Sequence, residues 1–200
     1  MSHEEILAKL LSDKPFYDVS GGGVTLTGGE ATLCMEWVGQ LAKELSENGV
    51  NVLLETCGMF DYGKAKEHLL PYLKDIYIDI KIFDRADHMK YCGAPNDVIL
   101  GNFERLLKDK ERFGYDILPR TPLVPGITDT EENLTKIADF YVSLGVKKTE
   151  LLPYNPTWYN KNDKLGIKLA DELSGLTSWQ SKEKVAAAKE IFTSRGIECR

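Results

Sequence analysis

The residues best suited to chemistry begin at Gly28-Gly29-Glu30, which close the run Gly21-Gly22-Gly23-Val24-Thr25-Leu26-Thr27. Gly28 and Gly29 leave backbone N–H and C=O groups with no side chain over them, and Glu30 sets a carboxylate beside them. Such edges suit a zwitterionic small molecule, with Glu30 facing an ammonium. Two tight turns around a buried strand, with Glu30 in water, would produce the same decapeptide. Further polar residues recur where apolar runs stop: Glu55 and Thr56, Asp79 and Lys81, Arg120, Tyr154 and Asn155. Asp79 and Lys81 stand two apart and so share a strand face. Each has a structural alternative: Asp79 and Lys81 as a buried ion pair, Arg120 paired with Glu30 or Asp79, Thr56 as strand packing. Taken together they describe a ligand with ammonium, carboxylate and hydroxyl groups. Glu30 would take the ammonium, Lys81 and Arg120 the carboxylate, and Glu55 or Thr56 a sugar hydroxyl.

Positioning these residues requires alternating strands and helices. The apolar spacing predicts helices over 4–11, 33–48, 61–73, 96–113, 129–144 and 181–195, with Lys14-Pro15 ending the first, Asp61 and Asp129 as caps, and glycine or Asn-Gly closing several. Short apolar runs predict strands over 23–27, 50–56, 75–80, 115–123 and 148–154. About five strands, each followed by helix or loop, make a parallel α/β fold with right-handed crossovers. A closed eight-fold barrel needs roughly 250 residues, so an open partial barrel or a doubly wound sheet fits 200 residues better. In either, ligands sit at the carboxyl ends of the strands, which is where the polar residues fall. Residues 155–177 show no regular pattern and read as a long functional loop or lid.

Two hundred residues fit one domain over 1–200. A net charge of −6 argues against nucleic acid as the main partner. No apolar run is long enough to span a bilayer and the acidic start Met1-Ser2-His3-Glu4-Glu5 is no secretory leader, so the expected location is the cytoplasm. Cys34, Cys57, Cys92 and Cys199 lie far apart and are expected as reduced thiols, with Cys34 and Cys57 packing as small apolar groups.

In order, the segments 20–30 (Ser-Gly-Gly-Gly-Val-Thr-Leu-Thr-Gly-Gly-Glu), Leu54-Glu-Thr-Cys-Gly58, Tyr77-Ile-Asp-Ile-Lys81, Arg120 with Val124-Pro-Gly126, and Glu150-Leu-Leu-Pro-Tyr154 form one set. This set resembles the activating enzymes of glycyl radical enzymes, the pyruvate formate-lyase activating type, within the radical S-adenosylmethionine superfamily. The resemblance runs from the first helix to about Gly166. It implies an open partial β/α barrel and oxidoreductase chemistry of anaerobic metabolism. The cofactors implied are S-adenosylmethionine and an iron–sulfur [4Fe–4S] cluster. A glycyl radical enzyme would be the partner, with a flavodoxin or ferredoxin as reductant. By resemblance Gly28, Gly29 and Glu30 hold the methionyl amino group, Glu55, Thr56, Asp79 and Lys81 line the cofactor site, and Glu55 and Asp79 are candidates for a monovalent cation. Arg120 matches the arginine before the Val-Pro-Gly turn, and Asn155 stands where several relatives have histidine.

The family's C-x-x-x-C-x-x-C cluster loop has no counterpart here, and Cys34, Cys57 and Cys92 do not match it. Three accounts are open: a chain cut short at its start, a chain completed by another polypeptide, or a degenerate relative. The first is expected, and with it an inactive chain unless the upstream loop is supplied. The competing functions are an activating enzyme, a non-catalytic S-adenosylmethionine- or partner-binding module, and a Schiff-base lyase using Lys81.

Overall fold

Alternation of apolar and polar residues sets the sheet. In the computed structural model, which describes residues 1–157 and 175–200, the strands are β1 (Gly23–Leu26), β2 (Asn51–Thr56), β3 (Asp75–Asp79), β4 (Asp116–Leu123), β5 (Lys148–Pro153) and β6 (Glu198–Cys199). They run in sequential order β1-β2-β3-β4-β5-β6, an open parallel sheet. The helices are α1 (His3–Leu11), α2 (Lys14–Ser20), α3 (Met35–Glu47), α4 (Tyr62–His68), α5 (Arg85–Cys92), α6 (Asp97–Phe113), α7 (Glu131–Ser143) and α8 (Lys182–Thr193). Most of the 155–177 loop lies outside the described residues. The chain divides into two compact units, Met1–Ile80 with His88–Pro119, and Lys81–Asp87 with Arg120–Arg200.

In the first unit β1 pairs with β2 from Gly23↔Asn51 to Leu26↔Leu54, and β2 with β3 from Leu53↔Asp75 to Thr56↔Ile78. One sheet face buries Val24, Leu26, Val52, Leu54, Ile76 and Ile78. Helix α3 presents Met35, Val38, Leu41, Ala42 and Leu45 at helical spacing, all buried. Gly39 lets α3 close on the end of α4, because a Cβ there would stand 2.4 Å from the His68 carbonyl oxygen. The opposite sheet face carries the half-buried Leu53, Glu55, Tyr77 and Asp79. Strand β4 starts beside β3, where the Asp116 N–H donates to the Lys74 carbonyl at 2.9 Å.

In the second unit the end of β4 pairs with β5 from Arg120↔Glu150 to Leu123↔Pro153, and β5 with β6 through Lys148↔Glu198 and Thr149↔Cys199. Helices α7 and α8 meet through the buried rings of Tyr141 and Phe192, 6.1 Å apart.

The elements depart from the sequence reading in particular places. Pro15 opens α2 rather than only ending α1, since its missing N–H costs nothing in a first turn. The helix expected over 61–73 stops at His68, and Leu70–Tyr72 form a 3-10 turn, because Pro71 cannot continue the helical ladder. Helix α5 was not expected, having no apolar stripe; Asp84 supports its start by accepting the Ala86 and Asp87 amides at 2.8 and 3.1 Å. Thr130 caps α7 in place of Asp129, whose carboxylate accepts the Gly126 amide and the Gln180 side chain. A sixth strand, two residues long, follows α8. Cys34 is exposed and Cys57 half-buried, so neither is a core packing group.

Candidate functional site

Strand β1 ends in a segment that folds back on its own carboxylate. Gly28 has φ +135°, a backbone state that favours glycine, and a Cβ on Gly28 or Gly29 would meet nothing within 4 Å. The backbone there is open. Glu30 follows in extended conformation and caps the 3-10 turn Ala31–Cys34. Its Oε1 accepts the Thr32 amide at 3.2 Å, the Thr32 hydroxyl at 2.7 Å and the Thr56 hydroxyl at 2.9 Å. Its Oε2 accepts the Cys57 amide at 2.8 Å. The Thr56 hydroxyl in turn accepts the Gly58 amide at 3.0 Å. One carboxylate thus ties the turn after β1 to the turn after β2. Partial burial pushes its pKa up, but the Cys57 thiol and amide, Thr32 and Thr56 outweigh that and leave it below the usual carboxylate value. Glu30 is held as an anion at a strand end.

The turn after β2 is itself clamped. Asn102 on α6 is 2 % exposed, and its side-chain amide donates to the carbonyls of Gly58 at 2.9 Å and Phe60 at 2.8 Å. It fixes the segment whose Cys57 amide meets Glu30. Beside Thr32 opens a groove of about 570 Å³, walled by Leu33, Cys34, Trp37, Met59 and Phe60.

Glu55 and Asp79 share the half-buried sheet face, opposite the face that carries Thr56. The Thr27 hydroxyl donates to Glu55 Oε2 at 3.1 Å. The structure therefore brings Glu30 and Thr56 together and places Glu55 and Asp79 on the other face of the sheet.

Lys81, Arg120 and Asn155 belong to the second unit. Lys81 follows β3, and its carbonyl accepts the Asn133 side-chain amide at 3.0 Å. Asn133 also donates to the Thr128 carbonyl at 2.9 Å and accepts the Phe83 amide at 2.9 Å. It binds the segment after β3 to the turn after β4. Arg120 lies in register with Glu150 on the neighbouring strand. The exposed Asn155 closes an Asx turn by accepting the Thr157 amide at 2.9 Å. Tyr154 is buried, and its hydroxyl donates to the Leu176 carbonyl at 2.8 Å, so its strand-end hydroxyl serves packing.

Sequence reasoning missed Thr32, Asn102 and Asn133. The two asparagines did leave a signal. Asn102 interrupts the buried stripe Ile99, Phe103, Leu106, and Asn133 begins the stripe Leu134, Ile137, Ala138, Tyr141. A polar residue on an apolar stripe must find partners, and both find backbone. Among the described residues no group of three or more His, Cys, Asp or Glu side chains is placed to hold a metal ion. No described helix is long and apolar enough to cross a membrane.

No family model matches the chain. Over 199 residues it is 39 % identical to a pyruvate formate-lyase-activating enzyme of Staphylococcus aureus strain USA300, covering 96 % of this chain and 76 % of that protein. Among solved structures it is similar to a domain of pyruvate-formate lyase-activating enzyme from Bacteroides vulgatus ATCC 8482. That match has a TM-score of 0.71 at 24 % identity and covers 90 % of this chain and 98 % of the other. A radical SAM methyltransferase from Sphaerobacter thermophilus shares the fold with a TM-score of 0.67 at 15 % identity, over 100 % of this chain and 57 % of the other.

Proposed function

Because this chain belongs to the pyruvate formate-lyase-activating enzyme family, we propose that it holds S-adenosylmethionine at its strand ends and serves to set a radical on a glycine of a partner glycyl radical enzyme. The observation that carries this reading is Glu30, kept ionised by its donors beside the open backbone of Gly28 and Gly29. Those groups fit the ammonium and polar edges of a methionyl group. One-electron reduction of bound S-adenosylmethionine would break its C5′–sulfonium bond, giving methionine and a 5′-deoxyadenosyl radical able to take a hydrogen atom from a glycine.

The chain's own residues bind and orient. Glu30 accepts the ammonium, and the Gly28 and Gly29 backbone offers its polar edges. Thr56 has its proton committed to Glu30, so it acts by holding that carboxylate, and Glu55, which accepts the Thr27 hydroxyl, is the carboxylate we assign to a sugar hydroxyl. Glu55 and Asp79 share a face that suits a monovalent cation as well. For Lys81 and Arg120 as carboxylate contacts, and Asn155 as an amide contact, the support is the family motif. We place the protein in the cytoplasm, with a flavodoxin or ferredoxin as electron donor; the four free thiols agree with a reducing compartment.

Calorimetry with S-adenosylmethionine tests the reading. Glu30→Gln removes the charge and is expected to weaken binding by about 1.5–3 kcal/mol, the range of a charge-assisted hydrogen bond. Equal affinity in wild type and variant would remove Glu30 from the site.

The family's [4Fe–4S] cluster does not fit the residues of this chain, whose four cysteines lie singly at exposed or half-buried positions. No step is derived through it. The same observation favours a second reading, in which the chain binds S-adenosylmethionine or a partner without cleaving the cofactor. Anaerobic reconstitution with an iron and sulfide assay separates the two. The chain as given is expected to take up no stoichiometric cluster, and a full cluster with cofactor cleavage would overturn the second reading.

A further inference from the structure

Glu30 is served unequally at its two oxygens. Oε1 accepts three donors, two of them from Thr32, while Oε2 accepts the Cys57 amide. We infer that Thr32 is a positioning residue: with its amide and its hydroxyl both on Oε1 it locks the carboxylate in place for the ammonium of the ligand. The inference rests on the reading of Glu30 given above and adds the residue that holds it in place.

The physical argument is one of lone pairs. A carboxylate offers about four acceptor directions, two on each oxygen. Three donors within 3.2 Å exhaust Oε1. Two of the three come from Thr32, so the carboxylate cannot turn without breaking both. Thr32 is 7 % exposed and sits inside the very turn that Glu30 caps, so turn and carboxylate fix each other. Its hydroxyl has the shortest contact to Glu30, at 2.7 Å. The titratable groups on the surrounding elements are Cys57, whose thiol also donates to the carboxylate, Glu36 in the first turn of α3, Asp61 and Lys64 across the groove, and Glu55 on the opposite face of β2. None of the other carboxylates donates to Glu30 when ionised, so Thr32 and Thr56 supply its hydroxyl donors.

The test compares wild type, Thr32→Val and Thr32→Ser. The Glu30 carboxyl carbon is followed by NMR through an acid titration of the ligand-free protein. In Thr32→Val the midpoint is expected to rise by roughly one pH unit, the scale of one lost charge-assisted bond, and Thr32→Ser is expected to restore it. S-adenosylmethionine affinity near neutral pH should fall roughly tenfold in Thr32→Val, while a desamino analogue that lacks the ammonium loses nothing. An unmoved midpoint overturns the inference, as does failure of Thr32→Ser to rescue or equal loss for the analogue. If Thr32→Val does not fold, Thr32→Ala takes its place with the same expectations. Should wild type bind no S-adenosylmethionine, the functional reading falls, and the ligand-free titration alone decides whether Thr32 holds Glu30.

Discussion

Asn133→Ala is expected to lower the stability of the protein by about 3–5 kcal/mol, from three lost bonds and the desolvated groups they leave behind. The side chain spans three backbone groups: it donates to the carbonyls of Lys81 and Thr128 and accepts the Phe83 amide. It is 8 % exposed, so water cannot readily replace those bonds. Asn133 also lies in the first turn of α7, where the Thr130 side chain caps its amide. Urea unfolding with a shared slope measures the loss, and amide exchange at Phe83 should accelerate. A loss under about 1 kcal/mol would mean that water or a backbone shift satisfies the three groups. Because Lys81 is one of the three anchors, binding that depends on Lys81 should weaken with it.

Gly23→Ala is expected to cost about 3 kcal/mol or more, at the upper end for overpacking. A Cβ on Gly23 would lie 2.0 Å from the Asn51 carbonyl oxygen, 2.7 Å from its carbon and 3.0 Å from its Cα. These are backbone atoms of the paired strand, at the first register position Gly23↔Asn51. A side chain could rotate away; a paired strand must separate. Strand β1 would lose its first rung, and Gly28 to Glu30 their fixed launch point. Gly101 on α6 is the control. Nothing lies within 4 Å of a Cβ there, and Gly101→Ala is expected to stabilise by about 0.5–1 kcal/mol through helix propensity. Thermal melts of both variants decide the matter. An unchanged midpoint for Gly23→Ala would show that β1 gives way at little cost.

What the sequence made legible was what repeats. The apolar stripe of α3 and the alternation in β2 and β3 are periodic, and both appear where expected. The parallel order follows from strands separated by helices. The 3-10 turn at Leu70–Tyr72 was missed inside a helix expected over 61–73, although Pro71 marks the break. Helix α5 and strand β6 were not legible: the first has no apolar stripe, and the second is two residues held by the Glu198 amide on Lys147 and the Arg200 amide on Thr149. Of the site, Glu30 was readable as a carboxylate beside glycines. Its internal donors were not, because Thr32, Thr56 and the Cys57 amide are joined by a fold back of the chain and not by any spacing that chemistry alone requires.

The clamp on the Glu30 cradle has a consequence for how the chain is made. Asn102 holds the Gly58 carbonyl across 44 residues of sequence. A ribosome releases Glu30, Thr56 and Cys57 well before Asn102. In that interval the cradle can form its own bonds, but the turn that supplies the Cys57 amide has no brace. The unit that contains it is assembled from Met1–Ile80 and His88–Pro119, so it is complete only when Pro119 has emerged. A stalled chain ending before Asn102 would thus present the Gly-Gly-Glu segment beside a turn after β2 that lacks its brace.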